Sequence, residues 1–542
     1  MKKGLRITLI VVAVLLALVV AAFISADMLI SRLATKEVQK ALAALPAGEA
    51  SCGSVVVHVA NGTAAVNDIQ WTYRGSSISQ RDTTLCPGSR ISIERIEIGP
   101  VSYAMLLNKQ ILVDAVTVIR PEVELWMDEE HPELCFPDFP KDTTIDTTAF
   151  PLRRAELAHL HIRHAALALH SVRTKLDVAV DSCSLSVHDL AYDSVFSYCD
   201  SIYRLDIAHA AVLTPDGLMR IETRDLAHSD QEALTVGKTH IGHTVAKTGL
   251  GDLFKEPVTW IDMIIDHVET SPFNPIRKAL AQDYTLAKIE AEVNRMDIFR
   301  DARYKPKHIF EMPQTILRAI PIPFDIRRID AAVRTIHIEF ASTDRNIGIL
   351  DLGGIQAKVT NMTNRINATM MVNGDCKLGE GKATAKFSLK MNKACNWGLN
   401  LHAQGANTSL LNAFIRPLVG ITSDCMIDGL DAHYSGNSVQ ADGTFRLLYH
   451  GFRVQVHKED DIPYKIITRN AKTFTKLGNS LLPKSNPTAV DARPRAYKVT
   501  WKRNEWQPVP LYFFGPCIDG IKKTMLPGLY VHLQTKDIQC NN

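Results

Sequence analysis

Residues 382–391 read KATAKFSLKM, in which Ala383, Ala385, Phe387, Leu389 and Met391 alternate with Lys382, Thr384, Lys386, Ser388 and Lys390. Successive side chains of a strand point to opposite faces, so this period of two predicts a strand with one apolar and one solvated face. Nearby segments repeat the pattern. Ile355, Ala357 and Val359 alternate with Gln356, Lys358 and Thr360, and Trp397, Leu399, Leu401 and Ala403 alternate with Gly398, Asn400 and His402. Such strands in succession predict an antiparallel sheet that is wet on one side. The open question is what its dry side covers.

Composition narrows the answer only slightly. The 542 residues are 46% apolar and 22% charged, an ordinary globular balance, and the net charge of +3 selects no partner. Ten cysteines without a CxxC pair suggest neither a zinc ribbon nor a thioredoxin-type site. In an oxidising compartment Cys376 with Cys395 and Cys517 with Cys540 are the nearest candidates for bridges, and buried free thiols are the alternative. There is no GxSxG elbow and no GxxxxGK[ST] loop, and GLGDLF at residues 249–254 follows no strand of the dinucleotide-binding type, so neither an enzyme class nor a cofactor is indicated. The most ligand-like cluster is His159, His161, His164 and His170 in HLHIRHAALALH. It lacks a carboxylate or cysteine at fixed spacing and reads as a solvated strand face rather than a metal site.

The chain opens with Lys2, Lys3 and Arg6 ahead of an uncharged run over residues 7–26, with Ile7, Leu9, Val12, Leu16, Val19 and Phe23 along it. About 20 residues at 1.5 Å each match the roughly 30 Å of a bilayer's hydrocarbon, which predicts a transmembrane anchor over 1–26. A cleaved signal peptide ending at Val20-Ala21-Ala22 is the competing reading; the length of the run favours the anchor. The basic tip then stays in the cytoplasm and the rest of the chain lies outside it. Residues 27–47 follow as an amphipathic juxtamembrane helix with Ile30, Ala34, Val38, Ala41 and Leu45 on one side, stopped by Pro46. It is suited to lie on the membrane or to cap the next domain.

From residue 51 the period becomes two. Asn61-Gly62 sits between β-rich runs as a hairpin signal, and residues 91–126 read as a strand, a helical turn around Tyr103 to Leu107 and two further strands. Stretches beginning at Leu152 and Ile326 share a hydrophobic-Arg-Arg start followed by paired strands, and Val258 begins a possible further copy of one supersecondary unit. We expect a β region over 48–273, a helical and loop-like connector over 274–322, a second β region over 323–460, and a basic, aromatic segment over 461–542. In that last segment Leu511, Phe514, Ile518, Ile521 and Met525 have the spacing of a helix packed on the β domain. The same segment is suited to an anionic membrane surface or a protein partner; nucleic acid is not expected for an exported domain.

The run ISIERIEIGPVSYAMLLNKQILVDAVTVIRPEVEL, after an anchor and the hairpin VVHVANGTAAVNDIQW, resembles the opening module of the AsmA-like family of bacterial envelope proteins. IPFDIRRIDAAVRTIHIEF through LLNAFIRPLVGITSDCMIDGLDAHYSGNSVQADGTFRLLYHGF resembles later parts of the same family. The resemblance implies a single-pass inner-membrane protein with its bulk in the periplasm. It further implies a mainly β fold with some α: an elongated, curved, antiparallel groove with short flanking helices. Such a groove handles phospholipid or another acyl-chain lipid between membranes, or supports outer-membrane assembly, without catalysis. Its expected lining is Ile355, Ala357, Val359, Ala383, Ala385, Phe387, Leu389, Trp397, Leu399 and Leu401. The alternative is a structural or adhesive periplasmic β protein whose sheets close on a filled core.

Overall fold

The computed structural model describes residues 27–43, 48–74, 88–102, 110–128, 135, 154–173, 175–193, 195–197, 203–230, 232–274, 278, 282, 284–344, 346–458, 470–488 and 492–525. The expected anchor over residues 1–26 and the turn at Tyr103 to Leu107 lie outside them. Among the described residues no helix is long and apolar enough to cross a membrane. The chain divides into two compact units, Met1–Thr239 and His240–Asn542. That junction falls upstream of the connector expected over 274–322.

The first unit opens with helix α1 (Asp27–Ala43), then strands β1 (Glu49–Ser51), β2 (Ser54–His58), β3 (Thr63–Tyr73), β4 (Ser89–Ile98), β5 (Gln110–Met127), β6 (Arg154–Ser171), β7 (Asp177–Asp193), β8 (Val195–Ser197), β9 (Tyr203–Leu213), β10 (Met219–Ser229) and β11 (Thr235–Val236). The Asn61-Gly62 signal is a hairpin: β2 pairs antiparallel with β3 across a 3-10 turn that Gly62 closes at φ 62°, a backbone region glycine enters without strain. Helix α1 buries Ile30, Ala34, Val38 and Leu42 against Val55, Val57, Val66, Ile96, Val113 and Val116. It therefore caps the domain, with Leu42 inside instead of the expected Ala41. It also stitches an edge strand. Val57 N donates to Ser31 Oγ at 3.2 Å, Val55 N donates to Thr35 Oγ1 at 3.0 Å, and Gln39 Nε2 donates to the Cys52 carbonyl at 3.1 Å. Three polar residues four apart thus satisfy backbone groups that a bare edge would leave open.

In the second unit β12 (Thr239–His243) and helix α2 (Lys247–Phe254) precede β13 (Val258–Thr270), β14 (Thr285–Leu286) and β15 (Ile289–Asp301). Helix α3 (Pro313–Ala319), β16 (Asp325–Ala341), β17 (Ile347–Thr363), β18 (Thr369–Leu378), β19 (Gly381–Lys390), β20 (Trp397–Gln404), β21 (Ala406–Asn407) and helix α4 (Asn412–Val419) follow. The described chain ends with β22 (Ile421–Gly436), β23 (Gln440–Val456), helix α5 (Ala471–Leu481), β24 (Ala496–Lys502) and helix α6 (Val509–Met525). Within the expected connector, residues 285–286 and 289–301 are therefore strand, while α3 supplies the helix. The alternation of β15, Ile289, Ala291, Val293, then Met296, Ile298, slips by one residue and reads poorly as a strand for that reason.

The sheets are mixed, whereas alternation predicts antiparallel pairing throughout. β5 runs parallel to β6, and β15 parallel to β16; the other long neighbours are antiparallel. Both parallel pairings occur at strands preceded or opened by the hydrophobic-Arg-Arg signal, so the weak repeat marks one device used in each unit. Parallel neighbours need a long crossover. Residues 302–324, with α3, supply it in the second unit.

Cys376, Cys395 and Cys517 are free thiols, which removes the expected Cys376–Cys395 and Cys517–Cys540 bridges; Cys540 itself lies outside the described residues. Cys135, fully buried, is disulfide-bonded.

Candidate functional site

Strand pairing sorts the apolar wall of the second unit into rows. Directly paired residues share a face, so Ile265, Val293, Val333 and Ile355 form one row across β13, β15, β16 and β17. Farther along the same strands lie Met263, Met296, Ile336 and Leu352, then Ile261, Ile298, Ile338 and Leu350. Ile336 and Met263 pack on the cluster formed by Ile265, Val293 and Val333, which puts the rows on one face. Between the first two rows the sequence changes phase. Gly354, at φ 60°, is the pivot in β17, and opposite it the apolar positions of β16 switch from Ala331 and Val333 to Ile336 and Ile338.

Two ends of this unit are closed. Met312, Leu389, Trp397, Leu399, Tyr434, Phe445, Tyr449, Val499 and Tyr512 belong to a single buried cluster. Helix α6 supplies its lid: Phe513 approaches Phe387 to 4.7 Å and Trp397 to 4.9 Å between ring centroids, and Tyr512 approaches Trp397 to 5.4 Å. At another place Phe414 of α4 meets Phe340 of β16 at 6.2 Å. The helices α5 and α6 pack on β23 and β24, α4 on β17 and β22, and α2 on β13 and β15.

The expected groove residues therefore separate. Ala383, Leu389, Trp397 and Leu399 are buried beneath the lid or beside it, and Val359, Ala385, Phe387 and Leu401 pack against that cluster. Ile355 belongs to the open rows, and Ala357 pairs with Ala331 beside them. The aliphatic rows at Ile336, Ile338, Leu350 and Leu352 escape a search for unbroken alternation. The Gly353-Gly354 pair is the local signal that could have exposed the slip.

The first unit shows the same condition more widely. Across β6, β7, β9 and β10, the buried residues among those described are only Ser171, Tyr203 and His228. Yet Leu125, Leu169, Val178, Val212 and Ile221 line up through β5, β6, β7, β9 and β10, and each is half-buried. A sheet packed against a second layer would bury alternate residues along every strand. Here the described residues of the row are half-buried throughout, while Leu157, Leu160 and Ile162 farther along β6 pack on the core cluster beneath α1.

The solvated face is chemically different. A groove of about 590 Å³ in the second unit is lined by charged residues such as Glu290, Glu292, Asp330, Lys358 and Lys386 together with Ala331, Ala357 and Ala385 between them, so two of the expected groove residues border a cavity of mixed character. Histidines pair with carboxylates across strands, as in His240–Asp262 at 2.8 Å, His402–Asp431 at 2.8 Å and His450–Asp428 at 2.8 Å. Burial alone would raise the Asp431 carboxyl, but hydrogen bonds from Arg446 and His402 outweigh it and hold it low.

In the first unit His159 Nδ1 lies 2.8 Å from His188 Nδ1, and His161 Nδ1 lies 3.1 Å from Ser186 Oγ. His164 faces Ser182, and His170 pairs with Asp177 at 2.9 Å. Burial, then the charge of Arg163 and of the neighbouring histidines, holds His161 below the usual imidazole range. Among the described residues no three His, Cys, Asp or Glu side chains are placed to hold a metal ion.

No family model matches the chain, and neither a curated protein nor a solved structure matches it.

Proposed function

We propose that this chain is a noncatalytic lipid-handling protein of the cell envelope, whose uncovered aliphatic rows hold the acyl chains of phospholipid or a similar lipid. The observation that carries this reading is the near absence of buried residues among those described along β6, β7, β9 and β10, although their apolar positions line up in rows. Taking an acyl chain out of a bilayer costs about 0.8 kcal/mol per methylene, so a two-chain lipid needs compensation on the order of 20 kcal/mol. A long continuous aliphatic surface is the kind of surface that offsets such a cost. Strands of 17 and 18 residues run for roughly 55–60 Å at about 3.3 Å per residue, ample for an extended acyl chain.

The AsmA-like resemblance gives the setting: an inner-membrane anchor over residues 1–26, the bulk of the chain in the periplasm, and transfer of lipid between membranes or support of outer-membrane assembly. The disulfide at Cys135 suits an oxidising compartment. The rival reading, a structural or adhesive protein with a filled core, draws on the closed clusters beneath α1 and α6. Mass spectrometry of lipid extracted from the purified full chain tests the choice. Stoichiometric phospholipid is expected; a lipid-free chain with normal folding overturns the proposal.

A further inference from the structure

Helix α6 faces opposite to the direction its spacing suggests. Tyr512, Gly515, Pro516, Gly520 and Thr524 turn inward, and Leu511, Phe514, Ile518 and Ile521 point to solvent. The reason is close approach: a Cβ at Gly520 would stand 2.2 Å from the Phe445 ring and one at Gly515 2.3 Å from Trp501, so only the small-residue side can seat the helix. An apolar stripe is left outside.

The stripe continues into a rim of loops. Trp506 is 50% exposed beside the Phe310 N to Glu505 carbonyl hydrogen bond of 2.8 Å, and Val439 is 67% exposed where Arg503 N donates to its carbonyl at 2.8 Å. Ser438 N donates to Ala394 at 2.9 Å, and the next residues tie to α3 through Gln314 Nε2 and the Asn396 carbonyl at 3.2 Å. On and beyond α3, Ile316 and Ile322 are 56% and 51% exposed; Asn364 bonds the Ile322 carbonyl, and Ile366 beside it is 76% exposed. Scattered exposed apolar residues are normal, but a series joined loop to loop along one rim is not. Exposed Lys393, Lys502 and Lys522 stand among them with exposed Glu311 and Glu505, and Arg365 is paired with Asp325.

We infer that this rim and the outer stripe of α6 dock on the surface of a lipid bilayer bearing anionic headgroups. Single large side chains on loop tips insert at the boundary of headgroups and acyl chains, while nearby Lys and Arg meet the negative surface, each worth about 1 kcal/mol. Helix α6 and the Trp506 loop belong to a stretch, residues 465–523, with twelve Lys and Arg against three Asp and Glu, a balance that an anionic surface complements and a second copy of this chain would only repeat. The inference rests on the lipid-handling proposal for its purpose, since a docked rim would bring the aliphatic rows to a membrane, but docking can hold without it.

The test uses the full chain held in phosphatidylcholine nanodiscs, mixed with vesicles of phosphatidylcholine alone or with added phosphatidylglycerol. The wild-type chain should float with the anionic vesicles, and brominated acyl chains should quench fluorescence that Trp506→Phe removes. The triple variant Ile316→Ser, Ile322→Ser, Ile366→Ser should lower the floated fraction at least about tenfold while melting normally, because moving one Ile side chain out of water is itself worth about a factor of ten. Replacing Lys393 and Lys502 by Gln should weaken flotation in low salt only. Failure of the wild type to float, or equal flotation of the triple variant, overturns docking. So does a mass-doubled species that the triple variant abolishes without any flotation. Phospholipid per chain, measured by mass spectrometry on the detergent-purified chain before it enters nanodiscs, separates the two proposals: a chain that carries none yet floats removes the trough and keeps the docking surface.

Discussion

Phe513 stands edge-on to Phe387, with ring centroids 4.7 Å apart and planes at 66°. The second ring belongs to the KATAKFSLKM strand, the first to α6, so the contact is where the dry face of that strand meets protein. Aromatic pairs in this geometry contribute about 0.5–1.5 kcal/mol beyond the area they bury. Phe513→Ala should therefore destabilise the second unit by about 2–3 kcal/mol, below a full core truncation because Phe513 is only half-buried. Urea unfolding followed by tryptophan fluorescence measures it; a change under about 0.5 kcal/mol would mean that α6 is not a lid.

Aspartate separates the open rows from the closed cluster. Ile338 sits in a half-buried row, and Leu399 is 3% exposed inside the cluster beneath α6. A charge at Ile338 can remain hydrated but spoils an acyl-chain surface; a charge at Leu399 loses its water with no partner. Ile338→Asp should fold and lose co-purified phospholipid, whereas Leu399→Asp should fail to fold or drop its melting temperature by well over 10 °C, since losses of about 3 kcal/mol or more are expected. An Ile338→Asp chain that unfolds as badly would mean that the rows are packed.

The strands were legible in the sequence because a period of two survives wherever one face is dry. What covers that face was not. KATAKFSLKM carries no trace of Phe513, which arrives from a distant helix, and so closed and open surfaces look alike in alternation. The open rows at Ile336, Ile338, Leu350 and Leu352 were hidden by a phase slip at Gly354, whose positive φ lets apolar side chains resume on the same face after an odd step. Helix α6 was legible as a helix, but its large apolar residues pointed the reading the wrong way. Packing distance decided its orientation, and Gly515 and Gly520 are the residues that set it.

Two helices hold strand edges by the same device. In α5, Asn479 accepts from Val454 N at 3.0 Å and donates to the Val454 carbonyl at 2.7 Å, while Thr475 Oγ1 accepts from Val456 N at 2.9 Å; in α1, Thr35 serves Val55. Removing the side-chain partner leaves partly buried backbone groups unsatisfied, at about 1–3 kcal/mol. Asn479→Leu and Thr35→Val should each cost that much and should raise amide exchange at Val454 and Val55 respectively, ahead of any global unfolding. Unchanged exchange at those amides would show that the stitches are incidental.

The two units should answer pH with opposite sign. His337 Nδ1 lies 2.6 Å from Asp351 Oδ1 and its Nε2 3.1 Å from Glu339 Oε1, and Glu339 also takes Lys247 Nζ at 2.6 Å. The hydrogen bond with Asp351, then that with Glu339, holds His337 above its ordinary value of 6.5. A raised folded pKa favours the charged form, so this contribution is complete below the unfolded pKa and is lost as pH rises through the folded one. His161 is held below 6.5 by burial, Arg163 and the neighbouring histidines. Its folded state favours the neutral form, so its contribution is complete above 6.5 and is lost as pH falls through the folded value. Solvent screening keeps both effects small. Hydrogen exchange between about pH 5 and pH 8, corrected for the intrinsic rate, should show β16 and β17 loosening toward the alkaline end and β6 and β7 toward the acid end. His337→Gln should flatten the first trend alone and His161→Gln the second alone; a pair of variants that moved neither trend, or both together, would place the titration on other groups.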